Sequence, residues 1–382
     1  MVQAVRAGGS YRDVARRFRV GVATVALWVQ RARGRPLVRV DWRDRPDRPH
    51  RLSGRTPPGL VRAILRLRRH LARHDALGEH GPSAIRRHLL ASGQPAPCAR
   101  TIARWLARCG QSGRERWRRP APPKGWYLPD LAAGRAEADS ADVVEGLRLR
   151  RGGRVEVLNV LGLWGEQPDS LVAEAITTTA VIAQLSARWR RDGRPAYVQF
   201  DNDTIFSGAH ARRAYFGRLV HWCLCLGVTP VFAPPAELGF QAAIEAYNRR
   251  WQERVWRRWR HRSRPDLQGR SAAFVVGYRQ VKAAQGLEHQ SLRSAWDKPG
   301  FEPRSQRIVL LRRLDEHGAL QLCAQRLRIA PRWAHRLVRC EIDVQHQRVC
   351  CSGLLRREPQ RQPLLATRRL HLRLVPWHQP PN

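Results

Sequence analysis

Acidic side chains are scarce in this chain. Asp and Glu number 31 against 70 Lys and Arg, a formal net charge of +39, well beyond what solubility needs and costly to hold compact without a polyanion nearby. Nucleic acid is the partner class this implies. Long apolar runs are missing too: none approaches the roughly 18 residues of a membrane span, so no membrane partner is expected. No secretory pattern opens the chain, because Met1–Arg17 carries several charges and no continuous apolar stretch. The expectation is a cytoplasmic protein, bacterial and nucleoid-associated. Paired CxxC elements are lacking as well, so the scattered cysteines (98, 109, 223, 225, 323, 340, 350, 351) cannot close a tetrahedral zinc site and read as buried thiols. A hydrophobic content of 43% excludes a disordered basic tail.

What is present falls into segments. Residues 1–33 read as a helix-turn-helix: Ser10 with Asp13 three residues on is a helix N-cap, Val20-Gly21-Val22 supplies the turn, and Val25, Trp28 and Val29 give the second helix its inner face. That helix would turn Thr24, Leu27, Gln30 and Arg31 outward, where a recognition helix meets the major groove. Residues 34–58 read as a linker. A second helix-turn-helix unit is expected over 59–110, with Leu60, Ile64, Leu67 and Leu71 inward and Arg100, Arg104 and Arg108 along one side of its last helix. An ordinary helical hairpin with a solvated basic face is the plainer alternative for each unit. Residues 111–130, QSGRERWRRPAPPKGWYLPD, read as a basic Pro-rich tether.

The block 131–300 changes character. EADSADVVEGLRL and RVEVLNVLGLW alternate as strands around Gly152-Gly153, LVAEAI offers a third strand, and Thr178–Arg191 has helical spacing. YVQFD, a helix through Leu226, TPVFAPP and a long helix from about Leu238 come next. The order βββαβαβα specifies a mixed sheet covered by helices, in which the first and fourth strands can be neighbours. Residues 305–375 read as short strands of a small β-barrel. The fold class is therefore α/β and multidomain.

Three acids stand out against the basic background: Asp139 in the first strand, Asp201 ending YVQFD, and Glu245 in the helix after FAPPAELGF. Oxygen ligands of this kind suit Mg²⁺ or Mn²⁺, and three carboxylates suffice for two ions. QFDNDTIF and GFQAAIEAYNRRW resemble the second and third motifs of the retroviral-integrase-type catalytic core found in DDE insertion-sequence transposases, and the order of segments is similar over nearly the whole chain. The resemblance implies a ribonuclease H-like core, with Asp139, Asp201 and Glu245 as catalytic metal ligands. It also matches Asn248, one helical turn beyond Glu245, to an Asn common in the family. Asp203 stands where the family usually has Gly, and EADSADVV offers Asp142 besides Asp139. The two lie three apart on opposite strand faces, so at most one enters the site, and the family position favours Asp139.

Charge and the three acids point to metal-dependent chemistry on nucleic acid, and the resemblance implies a transposase or integrase that binds double-stranded DNA, both element ends and target, and performs metal-dependent hydrolysis and strand transfer. The resemblance further implies a homo-oligomer on DNA. A non-catalytic helix-turn-helix DNA binder, or an inactive element copy, is the alternative. No Ser or Tyr stands in a nucleophile setting, which disfavours a covalent recombinase.

Overall fold

The computed structural model describes residues 1–43, 56–75, 77–111, 125–164, 167–208, 215–235, 237, 240–283 and 291–378. Part of the expected linker (44–55), most of the expected tether (112–124) and the expected helix start at Leu238 lie outside the described residues. The chain divides into two compact units, Met1–Pro58 and Gly59–Asn382.

Among the described residues, the first unit holds the α-helices α1 (Val2–Arg6), α2 (Tyr11–Phe18) and α3 (Val22–Ala32). Ser10 caps α2, its Oγ accepting from the Asp13 amide at 3.2 Å and donating to the Asp13 carboxylate at 2.6 Å. Arg19 ends α2 in the left-handed conformation. Val14, Ala15 and Val25 close the core between α2 and α3. The start of the expected linker folds back instead of leading away: Val40 is buried with Val2 and Ala32, and Trp42 lies 5.7 Å from Trp28.

In the second unit, α4 (Pro58–His74), α5 (Pro82–Ala91) and α6 (Ala99–Arg108) bury Ile64, Leu71, Ile85, Leu89, Ile102 and Leu106 against one another, as their helical spacing requires. After a short α7 (Pro129–Ala132) comes the sheet. Its first strands are β1 (Ala138–Arg148), β2 (Arg154–Gly162) and β3 (Pro168–Ala173), an antiparallel meander whose first turn uses Gly152 at φ +90°. Helix α8 (Thr178–Asp192), capped by Thr177, leads to β4 (Tyr197–Phe200). Next come α9 (Thr204–Ser207), β5 (Tyr215–Phe216), α10 (Arg218–Cys225), β6 (Thr229–Phe232) and α11 (Ala242–Trp251). A π-helical turn, Gln252–Trp256, ends α11, and α12 (Arg264–Ala283) comes after it. β4 runs parallel between β1 and β6, as the alternation of strand and helix requires. Helices α8 and α10 pack on one face of the sheet, α11 and α12 on the other.

The C-terminal strands are β7 (Arg307–Arg313), β8 (Ala319–Leu322), β9 (Gln325–Arg328), β10 (Leu337–Asp343), β11 (Arg348–Gly353), β12 (Leu364–Arg369) and β13 (Arg373–Leu374). They do not form the separate barrel expected over 305–375. β7 pairs in parallel with β6, Val231 opposite Val309 and Phe232 opposite Leu310. β10, β11 and β12 continue outward, giving one nine-stranded sheet ordered β12-β11-β10-β7-β6-β4-β1-β2-β3. Five consecutive residues of β7, Ile308–Arg312, are buried, the mark of an interior strand covered on both faces. The expected tether is corrected at its end as well: Trp126, Tyr127 and Leu128 are buried in the core with Phe240 and Val309.

Candidate active site

The site is built by strand alternation. Along β1, Ala141 and Val143 face the core under α8 and α10, and Val144 faces α11. Asp142 belongs to the α11 side, Asp139 to the α8 side. In the parallel register, Ala138 is opposite Tyr197 and Ser140 opposite Gln199. Asp142 lies two residues beyond the last paired residue of β1, and Asp201 follows the end of β4, so both come to the same end of the sheet, near enough for Asp201 to act on the Asp142 carboxyl. Glu245 reaches the same place from the first turn of α11. A cavity of about 510 Å³ opens here, lined by Asp201, Asn202, Asp203, Glu237, Gln241 and Glu245 among others.

Asp142 is held by an amide row. Asn248 Nδ2 donates to Asp142 Oδ2 at 2.6 Å, Asn159 Nδ2 to Asn248 Oδ1 at 2.8 Å, and Ser170 Oγ to Asn159 Oδ1 at 2.6 Å. Asp142, Asn159 and Ser170 are direct cross-strand partners on β1, β2 and β3, and Asn248 roofs them from α11. Each amide can satisfy this chain in one orientation only, so the NH₂ of Asn248 is committed to the carboxylate.

Electrostatics mark the same group. Burial, then the neighbouring Asp201 and Glu245, push the Asp142 carboxyl up to about 6 from 3.8, against the opposing pull of the Val143 amide and Asn248. Burial, with Asp203 and Glu145 nearby, also raises Asp201. Carboxylates that raise one another's affinity for a proton form a site short of positive charge. Among the described residues, Glu245 forms no ion pair. Asp203 is largely committed as the cap of α9, its Oδ1 accepting from the Ile205 amide at 2.9 Å.

Asp139, the expected first acid, is elsewhere. It is fully buried on the opposite face, where Arg188 donates to its two oxygens at 2.9 Å each, Arg293 Nη2 at 2.6 Å and the Trp189 indole at 2.8 Å. Burial would raise its pKa, but the two guanidiniums outweigh burial and hold it well below the carboxylate range. A carboxylate so saturated has no lone pair left for another ion. Among the expected acids, then, Asp201 and Glu245 come together, and Asp142 stands where Asp139 was expected.

The turn after β4 has its own support. Asn202 donates to the Ala233 carbonyl at 2.6 Å and accepts from Arg312 Nη2 at 2.9 Å. Arg312, on β7, is buried, and burial lowers its pKa to about 10. Below this turn, Tyr127 OH donates to the Gln199 side chain. None of Asn159, Ser170, Arg312 and Tyr127 carries a sequence motif that singles it out.

Of the expected DNA-facing residues, Leu27 and Gln30 on α3 are exposed, Thr24 is half-buried, and Arg31 lies with its guanidinium 4.7 Å over the Trp28 ring. Arg100, Arg104 and Arg108 are exposed on α6, Arg108 resting 5.2 Å over Trp105.

Among the described residues, no three His, Cys, Asp or Glu side chains stand at metal-holding spacing. The acids approach closely enough to perturb one another but do not converge to ligand distance. Their donor set, all carboxylate oxygen, and the mutual repulsion at Asp142 fit a hard divalent cation. Among the described residues, no helix is long and apolar enough to cross a membrane.

No family model and no curated protein matches the chain. Solved structures similar to it include the cryo-EM structure of a simian T-cell lymphotropic virus intasome in complex with PP2A regulatory subunit B56 gamma, at 11% identity and TM-score 0.35 over 71% of this chain and 88% of that one. Another is the crystal structure of the catalytic core domain of BIV integrase, at 16% identity and TM-score 0.25 over 41% of this chain and 88% of that one.

Proposed function

We propose that this protein is a DNA integrase or transposase whose phosphodiester chemistry is carried by Asp142, Asp201 and Glu245. The observation that carries the reading is the Asp142 carboxyl, pushed up to about 6 by burial beside Asp201 and Glu245 in a chain whose net charge is +39. A fold that spends stability to gather negative charge inside a basic protein has a use for that charge.

Asp142 and Asp201 hold from the strands and Glu245 from the helix. Mg²⁺ or Mn²⁺ bound there, as one ion or two, would supply Lewis acidity and alignment of the attacking and leaving oxygens. Asn248 keeps one Asp142 oxygen oriented, and the cavity beside Asp201 and Glu245 gives a phosphate room to approach. In the first step the oxygen of water bonds to phosphorus as the P–O3′ bond breaks; the water gives a proton to solvent and the departing 3′ oxygen takes one up, freeing a 3′-OH and leaving a 5′-phosphate. In the second, that 3′-OH attacks a phosphodiester of target DNA with the same exchange of bonds, so no protein–DNA bond forms. The exposed faces of α3 and α6, with Thr24, Gln30, Arg31, Arg100, Arg104 and Arg108, would carry the DNA, and a homo-oligomer on paired ends would complete the assembly.

The test is incubation with Mn²⁺ and a duplex bearing the flanking ends of the protein's own gene, scoring nicked and joined strands. Asp142→Asn, Asp201→Asn and Glu245→Gln each lower product by about 10²–10³-fold or more, the scale on which loss of one charge-stabilising group is felt, with duplex binding unchanged. Strand transfer retained by Asp142→Asn or Asp201→Asn refutes the assignment. A second reading, a DNA binder without chemistry, is favoured by the acids' not standing at ligand spacing; products from the unaltered protein would exclude it.

A further inference from the structure

The sequence RRWQERVWRRWRHRSR, residues 249–264, contains one acid, Glu253. It covers the end of α11, the π-helical turn and the connection to α12. This stretch is pinned at several points. The Trp256 indole stacks on the His261 ring at 5.2 Å and 12°, and His261 Nε2 lies 3.1 Å from the Val255 carbonyl. The Arg150 amide donates to the His261 carbonyl at 3.1 Å, joining the β1–β2 turn to the connection. Arg258 donates to the carbonyls of Asp75 and Arg73 at 2.8 Å each, joining the last turn of α4. Arg258 and Arg270 lie 5.0 and 4.7 Å over the ring of Trp259.

Three elements thus bring their arginines to one surface. Arg73, Arg151, Arg257, Arg260 and Arg262 are exposed there, and none forms an ion pair with a described carboxylate. The nearest acid of α12, Asp266, is taken by Arg270 at 2.8 Å and by the Arg262 amide at 3.0 Å. Guanidiniums concentrated in this way without counter-charges repel one another until a polyanion spans them. Trp259 lies beneath guanidiniums and offers little to the interior of a bilayer.

The position relative to the acids sets the geometry. Glu245 stands in the first turn of α11 and the π-helical turn ends at Trp256. At 1.5 Å per residue that separation is about 17 Å, or about five base-pair steps of 3.4 Å. We infer that this surface is a second contact for duplex DNA, gripping the phosphate backbone about five base pairs from the bond that the acids cut. The inference rests on the reading of the protein as one that acts on DNA.

The test uses Arg151→Glu/Arg257→Glu/Arg260→Glu in the full chain on an Asp201→Asn background, so that binding is measured apart from chemistry. An Arg151→Gln/Arg257→Gln/Arg260→Gln variant serves if charge reversal lowers solubility. Duplex binding is followed from 50 to 300 mM salt. The slope of log K against log salt falls in magnitude by about 3, one unit for each phosphate no longer neutralised, and phosphate-ethylation interference about five base pairs from the cut disappears while interference elsewhere stays. An unchanged slope overturns the inference, as does a loss confined to phosphatidylserine vesicles or to double-stranded RNA. Failure of the chemical reading would look different: no cut products from the protein with Asp201 intact, with the salt slope still responding to the arginines.

Discussion

Asp139 and Asp142 are three residues apart on one strand and lead opposite lives. Asp139 has a full shell of donors from Arg188, Arg293 and Trp189; Asp142 has one amide, Asn248, its own neighbour's backbone N–H, and two other acids nearby. One carboxylate holds the fold together, and the other is held in place by the fold at some cost. The contrast separates structural charge from functional charge by a measurable sign: neutralising the first destabilises the protein, neutralising the second stabilises it.

The largest effect expected from breaking this contrast is Asp139→Asn. It takes the shared carboxylate from two buried guanidiniums, leaving Arg188 with Asp169 and Arg293 with Glu137; removing one partner of a buried pair costs up to about 3–5 kcal/mol, read as a lower urea midpoint or as loss of soluble protein. On the proposed function, any molecules that fold keep their cleavage activity per folded molecule. Activity lost with the fold unchanged would return Asp139 to the site.

Asp142→Asn is expected to act in the opposite direction. Between pH 3.8 and about 6 the folded state binds more protons at Asp142 than the unfolded chain does, so the stability of the native protein falls as pH rises through that window and stays lowered above it. Neutralising the group removes this penalty. In EDTA at pH 8 the variant is more stable by about 2 kcal/mol, allowing for partial solvent screening, and at pH 4 the two are equal. Urea titrations at both pH values check the sign, and destabilisation at pH 8 would break the comparison.

Ser170→Ala sharpens the comparison at its outer edge. It removes the hydroxyl that fixes the Asn159 amide, costing about 1 kcal/mol, and it loosens the Asn248 donor that lowers the Asp142 pKa. The Asp142 titration, followed by carboxyl NMR, moves upward by less than one unit. A titration that does not move would mean that the row packs without orienting.

Much of this was legible in the residues. The helices of both N-terminal units and the principal strands and helices of the core through α11 can be read from apolar periodicity, caps and turns, though the short α9 and β5 cannot. The period of two in β1 put Asp139 and Asp142 on opposite faces, but it could not say which face was which. That was decided by Arg188, on a helix 49 residues from Asp139, and by Arg293, 154 residues away, and no local pattern records such partners. The Pro-rich composition around 120–130 concealed that Trp126–Leu128 belong to the core. The strand β7 carried its own signal, since IVLL between arginines reads as a strand buried on both faces and so argues against a small barrel with one wet side.

The placement of β7 has a consequence for how the molecule is made. The inner edge of β6 is left without its hydrogen-bonding neighbour until residues 308–310 have been synthesised, and Arg312, which steadies the turn beside Asp201, arrives in the same strand. A chain lacking that strand would lose at once the neighbour of β6 and the guanidinium on the turn beside Asp201. Order around the acids therefore depends on a strand that lies far beyond them along the polypeptide.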